Sequence, residues 1–156
     1  MELLFSTVGA LTGLIGLVIS ILAYSHNRIE AVNAYYSRMN DIESIRARRT
    51  LRTLPKNYQL TELTDEQKDH FSHIVILYQQ AGLLVKKHQL PTWVFDQSSG
   101  YKVMNFYDKL KPYILERRRG EPTYALHFEW LYIKLKKKHP SWESPDQTVQ
   151  YKNLTL

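Results

Sequence analysis

The chain contains no cysteine, which excludes disulfides, thiolate catalysis and cysteine-based zinc sites. Glycine and proline are scarce, six of each. No glycine-rich phosphate loop, G-x-S-x-G elbow or H-E-x-x-H helix occurs, so catalysis has no support and the protein reads as a non-enzyme. Charge is missing from Leu3 to Tyr24, and half of the scarce glycine sits there, as Gly9, Gly13 and Gly16. What is present is a globular composition, with eleven tyrosines and 23% charged residues over 156 positions. That length suffices for one modest domain plus an anchor. The net charge of +6 suits an anionic partner such as phosphate, nucleotide or lipid headgroup, and is equally what a cytoplasmic juxtamembrane protein carries.

Residues 1–24 read as a transmembrane helix. As a helix the uncharged run reaches about 33 Å, against a hydrocarbon core of about 30 Å. It is too long for a signal peptide and lacks both a basic leader and a small-residue cleavage site. Glu2 lies before it, whereas His26, Arg28, Arg38 and a further arginine group follow it. This asymmetry predicts an inner-membrane protein with its N-terminus outside and its bulk in the cytoplasm. Ser6, Gly9, Gly13, Gly16, Ser20 and Ala23 recur at spacings of three and four, forming an edge of small residues that includes a GxxxG. Helices in lipid pack through close backbone approach over such residues. The edge therefore predicts homo-oligomerisation, and in an oligomer Ser6 and Ser20 could also line a narrow pathway.

Residues 25–54 contain no glycine or proline and predict a long juxtamembrane helix, with a bend near Ser25–Asn27 and an apolar face of Ile29, Val32, Tyr36, Met39 and Ile42. Pro55 ends it. Residues 55–139 predict a cytosolic helical domain. Thr64 with Gln67 has the form of a capping box. The next helix presents Phe71, Ile74, Val75, Tyr78, Ala81, Leu84 and Val85 to a core. Pro91 opens a short helical piece closed at Ser98-Ser99-Gly100. One helix carries Val103 to Ile114, with a kink or new turn at Pro112, and another carries Tyr124 to Leu135. Residues 140–156 read as a polar tail. No strand is predicted, so the fold class is all-α.

Chemistry concentrates on anion binding. His70 and His73 share a helix face, but without a third ligand they read as a solvated first turn, and no metal or cofactor is expected. Glu116 and Glu129 read as partners for nearby cations. Two basic groups at helix ends mix guanidinium, aromatic and amide chemistry: Arg49, Arg52, Lys56, Asn57 and Tyr58, and Arg117, Arg118 and Tyr124. Guanidinium grips phosphate, rings stack on bases and amides read base edges. The lysine run Lys134 to Lys138 reads as a solvated helix end. No duplex-reading motif occurs, so duplex nucleic acid is not an expected partner.

At "LPKNYQLTELTDEQK", "AGLLVKKHQLP", "KLKPYILERRRGEPTY" and "FEWLYIKLKKK" the chain resembles a broad prokaryotic family of small membrane-anchored helical proteins of unknown activity. That likeness covers Arg49 to Lys138 and implies fold alone. In size, layout, charge and lack of catalytic residues the chain also resembles the membrane-anchored accessory effectors of type III CRISPR systems. This second resemblance implies a homotetrameric antiviral effector. Its cytosolic domain would sense a cyclic oligonucleotide, cyclic tetra-adenylate first, and disturb the membrane through its anchors. The alternatives are a scaffold for a partner protein or acidic lipid, and a small channel subunit without a soluble ligand.

Overall fold

The computed structural model describes residues 2–55, 58–96 and 98–143, with side chains from Thr12 onward apart from Ser98 and Glu143. Among these residues all regular structure is helical: α1 (Glu2–Met39), α2 (Ile42–Thr53), α3 (Asp65–Lys86), α4 (Ser98–Arg117) and α5 (Leu126–Lys138). Short 3-10 turns lie at Leu60–Glu62, Thr92–Phe95 and Pro140–Glu143. The polar tail beyond Glu143 lies outside the described residues.

Helix α3 is the axis of the domain, with α2 and α5 packed along it and α4 against α5. Its start is the expected capping box. Thr64 Oγ1 accepts from Gln67 N at 3.2 Å, and Gln67 Oε1 accepts from Thr64 N at 2.9 Å. Each side chain satisfies a main-chain donor that the first turn leaves without an intrahelical acceptor. The predicted apolar stripe is buried from Phe71 to Val85, save Leu84, which is half-buried. The α4 stripe from Val103 to Ile114 is likewise buried, together with Phe128, Leu131 and Leu135 of α5. Gly82 sets the α3–α5 spacing, because a Cβ there would lie 2.1 Å from the His127 carbonyl oxygen.

Four local expectations are corrected. Residues 25–54 are not one helix: α1 continues unbroken through Ser25–Asn27, and the helix breaks at Asn40–Asp41. Asp41 is extended and occupies the N-cap position of α2 without a side-chain capping bond, with Glu43 in the first turn, a polar start signal that absence of glycine and proline concealed. Arg48 closes the break by donating to the carbonyls of Met39 and Ser44. The buried face of α1 is also rotated from the expected one. Tyr35 is buried with Val32 and Met39 beside it, while Ile29, Tyr36 and Ile42 are exposed. Ser98-Ser99-Gly100 opens α4 rather than closing the preceding piece, and Pro112 sits inside α4 without ending it. Tyr124 precedes α5, which starts after Ala125 in a left-handed conformation (φ 62°). Gln79 Oε1 caps that helix by accepting from the His127 and Phe128 amides at 2.8 and 3.1 Å.

His70 and His73 do not face solvent alone. His70 Nδ1 lies 2.8 Å from Thr50 Oγ1 and His73 Nε2 lies 2.9 Å from Ser44 Oγ, joining α3 to α2. Among the described residues no helix is long and apolar enough to cross a membrane. The uncharged run of the sequence straddles the point where side-chain description begins. Its part from Thr12 to Tyr24 would reach only about 20 Å as a helix. Within that part Leu14, Leu17, Val18, Ile21 and Leu22 are all more than half exposed, so α1 projects beyond the domain that holds its other end.

Candidate anion-binding site

The first basic group lies at the end of α2. Arg46, Arg49 and Arg52 follow one another at spacings of three on its exposed face and make no ion pair among the described residues. Lys56 and Asn57 lie outside the described residues. Tyr58 is structural: its hydroxyl donates to the Lys109 carbonyl at 2.7 Å, and its ring stands edge-on to Phe71 at 5.4 Å. Burial pushes that hydroxyl up to about 12. Lys109 Nζ in turn donates to the carbonyls of Leu51 at 2.7 Å and Leu54 at 2.9 Å, replacing the partners that the end of α2 lacks.

The second group surrounds the turn before α5. Arg118 holds that turn together, since its Nε donates to the Tyr124 carbonyl and its Nη2 to Glu129 Oε2, both at 2.8 Å. The guanidinium beside Glu129, and then the Tyr107 hydroxyl, hold that carboxyl below its ordinary range. Arg117 is exposed, with its guanidinium 5.3 Å from the centroid of the Tyr124 ring. The Tyr124 hydroxyl is buried without a hydrogen bond among the described residues, and burial pushes it up to about 12.

A cleft of 540 Å³ opens beside Tyr124, between α3 and the turn, lined among others by Gln79, Gln80, Glu121, Thr123 and His127. With both amide oxygens already engaged, the Gln79 and Gln80 N–H groups and the His127 imidazole can hydrogen-bond a planar heterocycle. Arg117 lies over the ring of Tyr124, one of the lining residues, without lining the cleft itself. Glu121 opposes an anion placed directly beside it. Gln79, Gln80 and His127 escaped the sequence reading. Their one trace is a pair of amides, Gln79-Gln80, inside an apolar helix stripe.

Of the expected ligand residues, then, Arg49, Arg52 and Arg117 present side chains to solvent, Tyr124 is half-buried, and Tyr58 and Arg118 are spent on the fold. The two groups occupy opposite ends of a relay of edge-on rings, Tyr58–Phe71–Tyr113–Tyr124, at centroid spacings of 5.4, 5.4 and 6.3 Å. Among the described residues the two groups share no direct contact. Among the described residues no cluster of histidine and carboxylate side chains could hold a metal ion.

On α1, Ser6 and Gly9 of the small-residue edge lie outside the described side chains. Gly13, Gly16, Ser20 and Ala23 face open space. Beyond the helix's own neighbouring backbone, no described atom lies within 4 Å of a Cβ built on either glycine, and Ser20 Oγ donates back to the Gly16 carbonyl at 2.9 Å.

No curated protein and no solved structure matches the chain. The model of a family described as a domain of unknown function, DUF4760, matches residues 7–135, from the apolar part of α1 through the end of the α5 core, and the chain belongs to that family.

Proposed function

We propose that this is a non-enzymatic, membrane-anchored protein. In this reading α1 crosses the bilayer with its N-terminus outside, copies meet along Ser6, Gly9, Gly13, Gly16, Ser20 and Ala23, and the helical domain works at the cytoplasmic face of the inner membrane. The observation that carries it is the apolar projection of α1. From Leu14 to Leu22 large side chains stand exposed on every side of the helix except the small-residue edge, a surface suited to lipid or to other helices. The other end of α1 is fixed to the domain by Tyr35 against Phe95 at 5.4 Å and by Arg38 on Gln80. Membranes from expressing cells test the reading. The chain should stay with the membrane after alkaline carbonate, and protease added to inside-out vesicles should remove the domain. Release by carbonate would refute it.

The ligand proposed for the domain is a cyclic oligonucleotide, with cyclic tetra-adenylate as the leading candidate, in an antiviral effector that assembles as a homotetramer. Two features support it. Arg117 with the amide-lined Tyr124 cleft offers one phosphate and one base contact per copy, and Arg49 and Arg52 carry cations that no acid pairs with among the described residues. Since the two groups lie apart in one chain, a ring-shaped ligand would gather equivalent groups from several copies about a symmetry axis. It would act on the membrane only through different affinities for two packings of the α1 helices. Titration of the detergent-solubilised full chain with cyclic oligoadenylates of several ring sizes should give saturable binding that Arg117→Gln weakens. Absence of binding at physiological salt for every ring size would leave the scaffold for a partner protein as the reading.

A further inference from the structure

We propose that the junction of α1 with the domain is an anionic-phospholipid site, an inference that rests on α1 being the membrane anchor. Beyond the exposed apolar stretch, one face of α1 turns toward the 3-10 turn at Thr92–Phe95. Between them lies a groove of 430 Å³, lined among others by Ile21, Tyr24, Arg28, Ile29, Val32 and Trp93. Its two ends differ in chemistry. Ile21 opens toward the apolar end of α1, whereas Arg28 is the first permanently charged residue after the uncharged run. Trp93 is 57% exposed although it is the largest side chain of its turn. Amphipathic rings in that situation settle at the level where hydrocarbon meets headgroups.

The groove is held in register with the domain. The Tyr24 hydroxyl donates to the His88 carbonyl at 3.4 Å, and the Arg28 guanidinium lies 5.7 Å from the centroid of the Tyr24 ring. His88 follows Lys86 and Lys87 at the end of α3, both exposed. Arg28 thus stands beside Tyr24, and exposed Lys86 and Lys87 directly precede the residue whose carbonyl Tyr24 bonds. The nearest acid on α1, Glu30, points along another face and pairs with His26 at 3.6 Å. Cations at headgroup level beside an apolar slot match one occupant, a phospholipid with net negative charge. Its phosphate would lie at Arg28 and its acyl chain along Ile21 and Trp93.

The test uses the full chain with Trp130→Phe and Trp142→Phe, leaving Trp93 as the one indole, reconstituted into vesicles of phosphatidylcholine with or without phosphatidylglycerol. Carbonate-resistant flotation reports the anchor. Quenching of Trp93 by lipids brominated near the headgroup end of the acyl chain reports the junction. Expected are flotation in both vesicle types, quenching about twofold stronger with phosphatidylglycerol, and loss of that excess in the Arg28→Gln, Lys86→Gln, Lys87→Gln combination. A chain that floats with Trp93 unquenched overturns the site and leaves the anchor standing. Quenching equal in both vesicle types assigns the groove to bulk lipid or a second α1 and overturns the anionic specificity. A chain that does not float overturns the anchor and the site together.

Discussion

Lys109 shows how a charge that looks available on paper can be consumed by the backbone. In the sequence it stands with Lys111 among aromatics, as a phosphate ligand would. Folded, its ammonium caps the end of α2 through the carbonyls of Leu51 and Leu54. Charge-assisted bonds to carbonyls that would otherwise lie buried without a partner are worth more than surface ion pairs. Lys109→Met should therefore lower stability by roughly 2 kcal/mol in urea unfolding, and it should leave ligand affinity per folded molecule unchanged. His88 presents the opposite case. It adopts φ 58° just past the end of α3, where Gln89 and Leu90 amides both reach the Leu84 carbonyl. A side chain costs energy in this left-handed conformation and glycine does not. His88→Gly should raise the unfolding free energy by about 1 kcal/mol, since the Tyr24 contact uses the main-chain carbonyl and survives. Neither role could be read from residue order, because both depend on which carbonyls a distant element leaves unpaired.

Between elements, two helix contacts invite measurement. At Gly82 the α3 backbone passes so close to His127 that a methyl group would overlap its carbonyl. Gly82→Ala should cost about 3 kcal/mol by overpacking, visible as a drop in thermal midpoint. The turn between α4 and α5 depends on Arg118 bonded to Glu129. Because the folded protein holds the Glu129 carboxyl below its ordinary range, chiefly through Arg118, this pair contributes fully above about pH 4.3, the ordinary glutamate value. The contribution fades as pH falls through the lowered folded value. Glu129→Gln should thus lower the thermal midpoint near neutral pH and flatten its decline on acidification, a difference that circular dichroism melts across that range can detect. The helices themselves were legible wherever apolar period and end signals agreed, as at Thr64 and along α4. The break at Asn40–Asp41 was not, because Tyr36, Met39 and Ile42 continue a helical period across it. What bends the chain there is Arg48 bonding the Met39 and Ser44 carbonyls, and α2 lying down on His70 and His73. The basic clusters were legible as composition, yet their division into structural cations (Arg48, Lys109, Arg118) and solvent-facing ones (Arg49, Arg52, Arg117) required the fold.

For the molecule as a whole, α1 separates two kinds of glycine. Gly82 and Gly100 are required by contacts within one chain, whereas Gly13 and Gly16 meet nothing beyond their own helix among the described residues. Each of the latter weakens an exposed helix by roughly 1 kcal/mol relative to alanine, and a single chain offers no compensation. A second α1 does, because small residues let two backbones approach closely enough to gain dispersion and weak hydrogen bonds in lipid. In the proposed assembly the cost has a cause. Gly13→Leu should leave the domain untouched, with an unchanged unfolding midpoint, since an added side chain meets only open space in the monomer. In mild detergent the same variant should shift the mass of the full chain from a multiple of 18.4 kDa toward a single copy, and Gly16→Leu should do likewise. Leu17→Ala, next to Gly16 but off the small-residue edge, should retain the wild-type mass. A wild-type chain already single in detergent and uncrosslinked in native membranes would remove the reason for the edge. With it would go any route by which a ligand on the domain changes how the anchors pack.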